Sequence, residues 1–207
     1  SVFKLFHWGN SSNRDEWVYD FEEKNLKQKI RYFILAYNND VKKLHHIEEY
    51  RELEQQLNKT IKWSRDLRDK LIRKNKLSYD AKNCIRCLYR PYVKKYLYAD
   101  FYMNDILTKN HYETFGTNLQ QPNKVICITA HKQVEFIVGA SNVLVDAGFG
   151  GRATHNIALY RYDENNTKKD NITDRGLEQF TVYYNDSSIT KEAVFYYIYA
   201  VLHHPAY

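Results

Sequence analysis

Cys84-Ile85-Arg86-Cys87 is a CxxC, and Cys127 with His131 forms a CxxxH about forty residues later. Three thiolates and an imidazole are a donor set that tetrahedral zinc accepts. One CxxC without a second is a weak metal signal, and Cys127 sits in a β-branched run. The expectation is therefore buried thiols acting as small apolar residues, and no metal. Nothing around the CxxC reads as the βαβ unit of a thiol oxidoreductase.

Asp146-Ala147-Gly148-Phe149-Gly150-Gly151-Arg152 is the glycine-rich loop of the chain, and its backbone could approach a phosphate with Arg152 beside it. It matches neither GxGxxG nor GxxxxGK, so a turn between strands is the default. His45-His46 before Glu48-Glu49, and His203-His204 before Pro205, lie on amphipathic helical patterns without a convergent partner. No GxSxG elbow, Walker lysine or Pro-Pro-Tyr adenine-methylating motif occurs, and none of Pro91, Pro122 or Pro205 is followed by Asp. No catalytic residue and no cofactor are expected.

The charge is more informative. The chain carries a net +6, yet Lys59–Lys76 alone nets +6 through Lys59, Lys62, Arg65, Arg68, Lys70, Arg73, Lys74 and Lys76 against Asp66 and Asp69. Lys82–Ala99 adds Lys82, Arg86, Arg90, Lys94 and Lys95 with no acid, so the remainder is acidic. A clustered positive field attracts a polyanion by counterion release far better than a diffuse excess does. Nucleic acid is the natural partner, with Lys62, Arg65, Arg68, Arg73, Arg86, Arg90, Lys94 and Lys95 as phosphate contacts. Tyr89, Tyr92, Tyr96 and Tyr98 interleave with the later cations, where phenols can pack below while cations reach phosphate oxygens. The alternative is a solvated basic helix over core tyrosines.

Three elements must position these residues. Leu26, Ile30, Phe33 and Tyr37 recur at helical spacing after Asp20 and predict a helix ending at Asn38-Asn39-Asp40. A second helical pattern, Val41–Leu57, carries Leu44, Ile47, Tyr50, Leu53 and Leu57, and Ile61–Arg73 continues with Leu67 and Leu71 around Trp63. From Lys124 the pattern changes to short β-branched runs: 125–129 and 136–138, then 142–145 and 157–160. Asp163–Asp170 reads as a polar loop, and Thr173 or Asp174 and then Thr190 cap two closing helices, the last carrying Val194, Phe195, Ile198, Val201 and Leu202.

Composition bounds the class. With 43% hydrophobic residues, 19 Tyr and 10 Phe but only 7 Gly and 3 Pro, 207 residues should fold around one sizeable core or two small ones. Three cysteines make no disulfide framework and fit a reducing compartment, so the expected location is cytoplasmic. No run is long and apolar enough for a membrane span. A chain opening at Ser1 and stopping just after a helical run reads as a piece of a longer protein.

Asn13-Arg14-Asp15-Glu16-Trp17-Val18-Tyr19, Ile61-Lys62-Trp63-Ser64, Leu88-Tyr89-Arg90-Pro91-Tyr92, Lys95-Tyr96-Leu97-Tyr98, Asn123-Lys124-Val125-Ile126-Cys127 and the closing run through Tyr197-Ile198-Tyr199-Ala200-Val201-Leu202-His203-His204-Pro205 occur in this order. Together they resemble the C-terminal specificity region of Type ISP single-polypeptide restriction-modification enzymes, whose pattern carries Phe more often where Tyr92 stands. The resemblance implies an α+β fold: a helical spacer or hairpin over 1–80, then a mixed α/β target-recognition domain over 81–207 with short strands and closing C-terminal helices. The two regions are also compatible with one continuous domain. It further implies double-stranded DNA as partner, along with the methyltransferase and translocase domains of the same polypeptide. It implies no membrane and no chemistry within this chain.

Residues 122–170 carry least of the resemblance, as expected where sequence specificity varies. Lys132, Arg152 and Arg161 are the base-reading candidates there, with the basic segments anchoring phosphates. The competing readings are an intramolecular docking module that touches no DNA, and a zinc-dependent hydrolase fragment.

Overall fold

The structure is a computed structural model that describes residues 1–47 and 49–205. In chain order the first elements are β1 (His7–Trp8), α1 (Asp15–Val18), β2 (Tyr19–Asp20), α2 (Glu23–Lys43), α3 (Tyr50–Gln56) and α4 (Arg65–Ile72). β3 (Cys84–Arg90), β4 (Val93–Tyr98), α5 (Lys109–Phe115), β5 (Val125–Thr129), β6 (Ile137–Ser141) and β7 (Leu144–Val145) follow. The chain closes with β8 (His155–Ala158), β9 (Tyr160–Tyr162), β10 (Lys168–Asp170), α6 (Asp174–Tyr184) and α7 (Lys191–Leu202). No described helix is long and apolar enough to cross a membrane.

Contacts divide the chain into a helical unit, residues 12–85 and 95–105, and a sheet unit, residues 1–11, 86–94 and 106–207. β3 and β4 each run from one unit into the other.

In the helical unit, α2 buries Leu26, Ile30, Phe33, Ile34, Tyr37 and Val41 along one stripe. The helix does not stop at Asn38-Asn39-Asp40, as its sequence predicts, but runs through to Lys43. These polar side chains serve other segments instead of breaking their own backbone. Asn38 accepts the Leu77 N–H and donates to the Leu77 carbonyl, both at 2.9 Å. Asp40 accepts the Asn58 N–H at 2.6 Å.

The second predicted helix, Val41–Leu57, is divided instead: 41–43 close α2 and 50–56 form α3, while Leu44 and Ile47 are buried in the connection between them. Glu48 lies outside the described residues. The basic stretch 59–76 is helical only over α4, where Ser64 caps the Leu67 N–H and Leu67 and Leu71 face inward. Arg14 is 1% exposed, 3.7 Å from Asp105 and with its guanidinium over the Phe33 ring.

The sheet unit is built on an antiparallel sheet of order β1-β8-β5-β6. β5 sits between two partners and is apolar on both faces, which is why its sequence is a continuous run and not an alternation. Ile126, Ile128, Ile157 and Val138 share one face and pack with Leu159, Ile172, Val194 and Phe195 beneath α6 and α7. Thr173 and Thr190 cap those helices as the sequence predicts, accepting the Gly176 and Ala193 N–H groups.

The other face carries the cross-strand row His7, Asn156, Cys127, and the His7 ring lies 4.5 Å from that of His111 on α5. β7 pairs in parallel with β3 through Cys87↔Leu144 and Leu88↔Val145. The segment read as a polar loop, 163–170, instead ends in β10, which pairs with β9. The Asp163 carboxylate accepts the Asn165 and Thr167 N–H groups and so closes this ribbon.

Candidate nucleic-acid interface

The β3–β4 hairpin carries the densest acid-free basic run, and its turn is Pro91-Tyr92. Strand alternation sends Arg86 outward while Ile85 and Cys87 face in. Arg90 donates to the Asp146 carboxylate at 2.6 Å and to the Tyr89 carbonyl, with its guanidinium 3.9 Å from the Tyr89 ring. Lys94 is exposed and donates to Asn142 Oδ1 at 3.1 Å. The tyrosines do not pack uniformly below the cations. Tyr98 is wholly buried, accepts the Asp80 N–H, and has its phenol pushed up to about 12 by desolvation. Tyr92, in contrast, is 103% exposed.

In the helical unit, Lys62 and Arg73 are exposed at the two ends of α4, and the Arg65 side chain is 89% exposed. Arg68 differs. Both its Nε and Nη2 donate to the Glu54 carboxylate, at 2.7 and 2.9 Å, a bidentate clamp that holds Glu54 below the usual carboxylate range and raises Arg68. Lys95 lies 4.8 Å from the Phe21 ring. Arg68 and Lys95 are thus already engaged by their own unit.

Among the base-reading candidates, Lys132 lies exposed in the connection from β5 to β6, and Arg152 lies exposed in the glycine-rich connection from β7 to β8. Arg152 donates to Gln133 Oε1 at 2.8 Å, so the fold brings these two connections together. The glycine-rich loop is organised from within: Asp146 accepts the Gly148 N–H at 2.8 Å, and Gly150 lies so close to Thr129 that a Cβ would meet its Oγ1 at 2.3 Å.

Arg161 is apart from that pair. It sits on β9, 3.8 Å from Glu113 of α5, in a cleft of about 610 Å³ lined also by Lys109, Tyr112, Asn165 and Lys169. Lys109 and Lys169 were not legible as site residues. The signal present was the Lys168-Lys169 pair, whose strand conformation depends on pairing with β9.

The thiols of the CxxC lie three positions apart on β3, so strand alternation sends them to opposite faces; Cys87 and Cys127 are buried and Cys84 partly so. Burial pushes the Cys127 thiol up to about 12, which leaves it a protonated, inert group at neutral pH. Among the described residues no three His, Cys, Asp or Glu side chains gather as a metal set.

A family model described as the Type ISP C-terminal specificity domain matches residues 1–207. No curated protein matches the chain. Among solved structures, the DrdV–DNA complex solved by cryo-electron microscopy is similar over 100% of this chain and 20% of its own, with 31% identity and a TM-score of 0.90. A nuclease-deletion mutant of the Type ISP restriction-modification enzyme LlaGI, in complex with a DNA substrate mimic, covers 100% of this chain and 19% of its own at 27% identity and a TM-score of 0.83. The ATP-dependent Type ISP restriction-modification enzyme LlaBIII bound to DNA shares the fold at 20% identity and a TM-score of 0.82, over 100% of this chain and 13% of its own. The chain thus spans about a fifth or less of the solved chains it resembles.

Proposed function

Because the chain belongs to the family of Type ISP C-terminal specificity domains, we propose that it recognises double-stranded DNA by sequence on behalf of a longer restriction-modification polypeptide. The observation that carries this reading is the β3–β4 hairpin: Arg86 and Lys94 are exposed on a run with no acid between Lys82 and Ala99, and its turn end is braced by Arg90–Asp146. Two solved relatives, at 31% and 27% identity, are DNA complexes, which supports the same partner.

In this reading Lys62, Arg65, Arg73, Arg86 and Lys94 contact phosphates, while Arg68, Arg90 and Lys95 shape the surface that presents them. Lys132 and Arg152, held together through Gln133, and Arg161 in its cleft read base edges in the major groove. The first eighty residues act as a helical spacer and residues 81–207 carry recognition. Methylation, translocation and cleavage belong to other domains of the polypeptide, which acts in the cytoplasm on DNA; this chain supplies no catalytic group.

Gel-shift titration of the chain against a random duplex pool, and against duplexes enriched from it, tests the reading at two salt concentrations. Lys94→Ala should weaken binding to every duplex and flatten the salt dependence, whereas Arg152→Ala should act mainly on the enriched duplexes. Equal loss on both pools would remove the role of Arg152. Absence of duplex binding at low salt would favour an intramolecular docking module instead.

A further inference from the structure

We propose that Tyr92 is a wedge, carried on the tip of the β3–β4 hairpin, that stacks against the bases of the bound duplex; the proposal rests on the DNA-binding reading above. Pro91 presets the first central position of the turn, and Tyr92 follows at φ 63°, in the left-handed region. A Pro followed by a left-handed residue is the arrangement of a type II turn, whose second position ordinarily holds Gly or Asn. Tyrosine has no side-chain hydrogen bond to offset that conformation, and its Cβ disfavours it. Packing does not repay the strain either, because the ring is fully exposed and covers no apolar surface of its own chain.

The bare tip contrasts with its braced stem. On one side Arg90 is tied to the buried Asp146 carboxylate and rests on Tyr89, and on the other Lys94 reaches Asn142. These ties fix where the turn stands before any partner arrives, which limits the backbone entropy lost on docking. The charge selects the partner. Lys94 is exposed two residues past Tyr92 and Arg86 is exposed farther down β3, with no acid in the run, a setting that suits a phosphate backbone running beside the tip. An aromatic ring pressed on a base supplies sequence-tolerant stacking, and at a step it partly unstacks the pair.

The test uses Tyr92→Gly, Tyr92→Phe and duplexes enriched by the wild-type chain, with 2-aminopurine placed at successive positions. Glycine removes the ring and accepts the left-handed turn, so stability and binding should move in opposite directions. Tyr92→Gly should melt at a higher temperature than wild type, bind duplex about tenfold more weakly, and lose a fluorescence rise that wild type produces at one step; Tyr92→Phe should keep that rise. If wild type binds duplex and Tyr92→Gly binds and perturbs it equally, the wedge is refuted and the DNA-binding reading stands. A lower melting temperature for Tyr92→Gly would show that the ring serves the fold, and would also refute it. If wild type binds no duplex, the reading itself fails and the wedge with it.

Discussion

The guanidinium of Arg90 is bonded to the carboxylate of Asp146, fifty-six positions further along the chain, at 2.6 Å. Asp146 is 6% exposed in its side chain and Arg90 38%, so the pair lies at the margin of the sheet unit with its acid inside. Arg90→Ala leaves a buried carboxylate whose Gly148 N–H bond remains but whose charge partner is gone. The expected cost is about 2 kcal/mol, below that of a fully buried pair because solvent reaches the arginine. Urea denaturation should show it, and Asp146→Ala in the Arg90→Ala background should recover part of the loss, as a double-mutant cycle measures.

Arg65 and Arg68 stand three residues apart on α4 and should behave oppositely toward DNA. The Arg65 side chain is 89% exposed and holds a loose 3.9 Å ion pair with Asp69, which a phosphate can displace, so Arg65→Ala should reduce the slope of log K against log salt by about one. Arg68 is clamped by Glu54, so Arg68→Ala should leave that slope unchanged and cost about 0.5–1 kcal/mol of stability. Filter-binding titrations over a salt series, together with denaturation curves, separate the two. A full unit of slope lost on Arg68→Ala would place that side chain on DNA.

Gly9 runs beside the start of the glycine-rich loop, where its N–H donates to the Thr154 carbonyl at 2.9 Å and Asn10 bonds Val145 and Ala147. A Cβ at Gly9 would meet the Ala147 nitrogen and the Asp146 carbonyl carbon at 2.6 Å. Both obstacles are backbone and cannot rotate away. Gly9→Ala should therefore cost about 3 kcal/mol or more, in line with severe overpacking, and a fall in melting temperature checks it.

Acid should weaken the sheet unit through His111. Desolvation, with the nearby His7 adding to it, lowers its imidazole from 6.5 to about 3. The unfolded chain then binds a proton that the folded chain refuses. The contribution of neutral His111 is complete above pH 6.5 and is lost progressively as the pH falls from there toward about 3. At pH 5 the loss should be on the order of 1–2 kcal/mol. His111 Nδ1 also accepts the Thr108 N–H in a capping box, a task glutamine can perform without titrating. His111→Gln should flatten stability against pH between 6.5 and 4; an unchanged slope would assign the acid sensitivity elsewhere.

Much of the fold was legible wherever a local rule decides it. The α2 stripe, the Thr173 and Thr190 caps and the buried run of β5 follow from helical period, capping chemistry and β-branching, all of which act over a few residues. The failures occurred where a distant partner overrides local preference. Asn38 and Asp40 look like helix breakers until Leu77 and Asn58 take their hydrogen bonds. Lys168-Lys169-Asp170 looks like loop until β9 pairs with it.

The sequence by itself determined the chemical inventory of this chain: a local excess of cations in 59–76 and 82–99, cysteines without a framework, and the ordered motifs of the Type ISP specificity family. Charge and motif are properties of residue type and spacing, so they need no coordinates. Only the tertiary structure decided which cations are held against carboxylates at short range and which stand exposed. Glu54 and Asp146 neutralise Arg68 and Arg90 while leaving Arg65, Arg86 and Lys94 exposed. It also decided that, of four interleaved tyrosines, Tyr98 is core and Tyr92 a bare tip. Both outcomes depend on pairing across the chain, where burial and geometry act between residues that no local pattern connects.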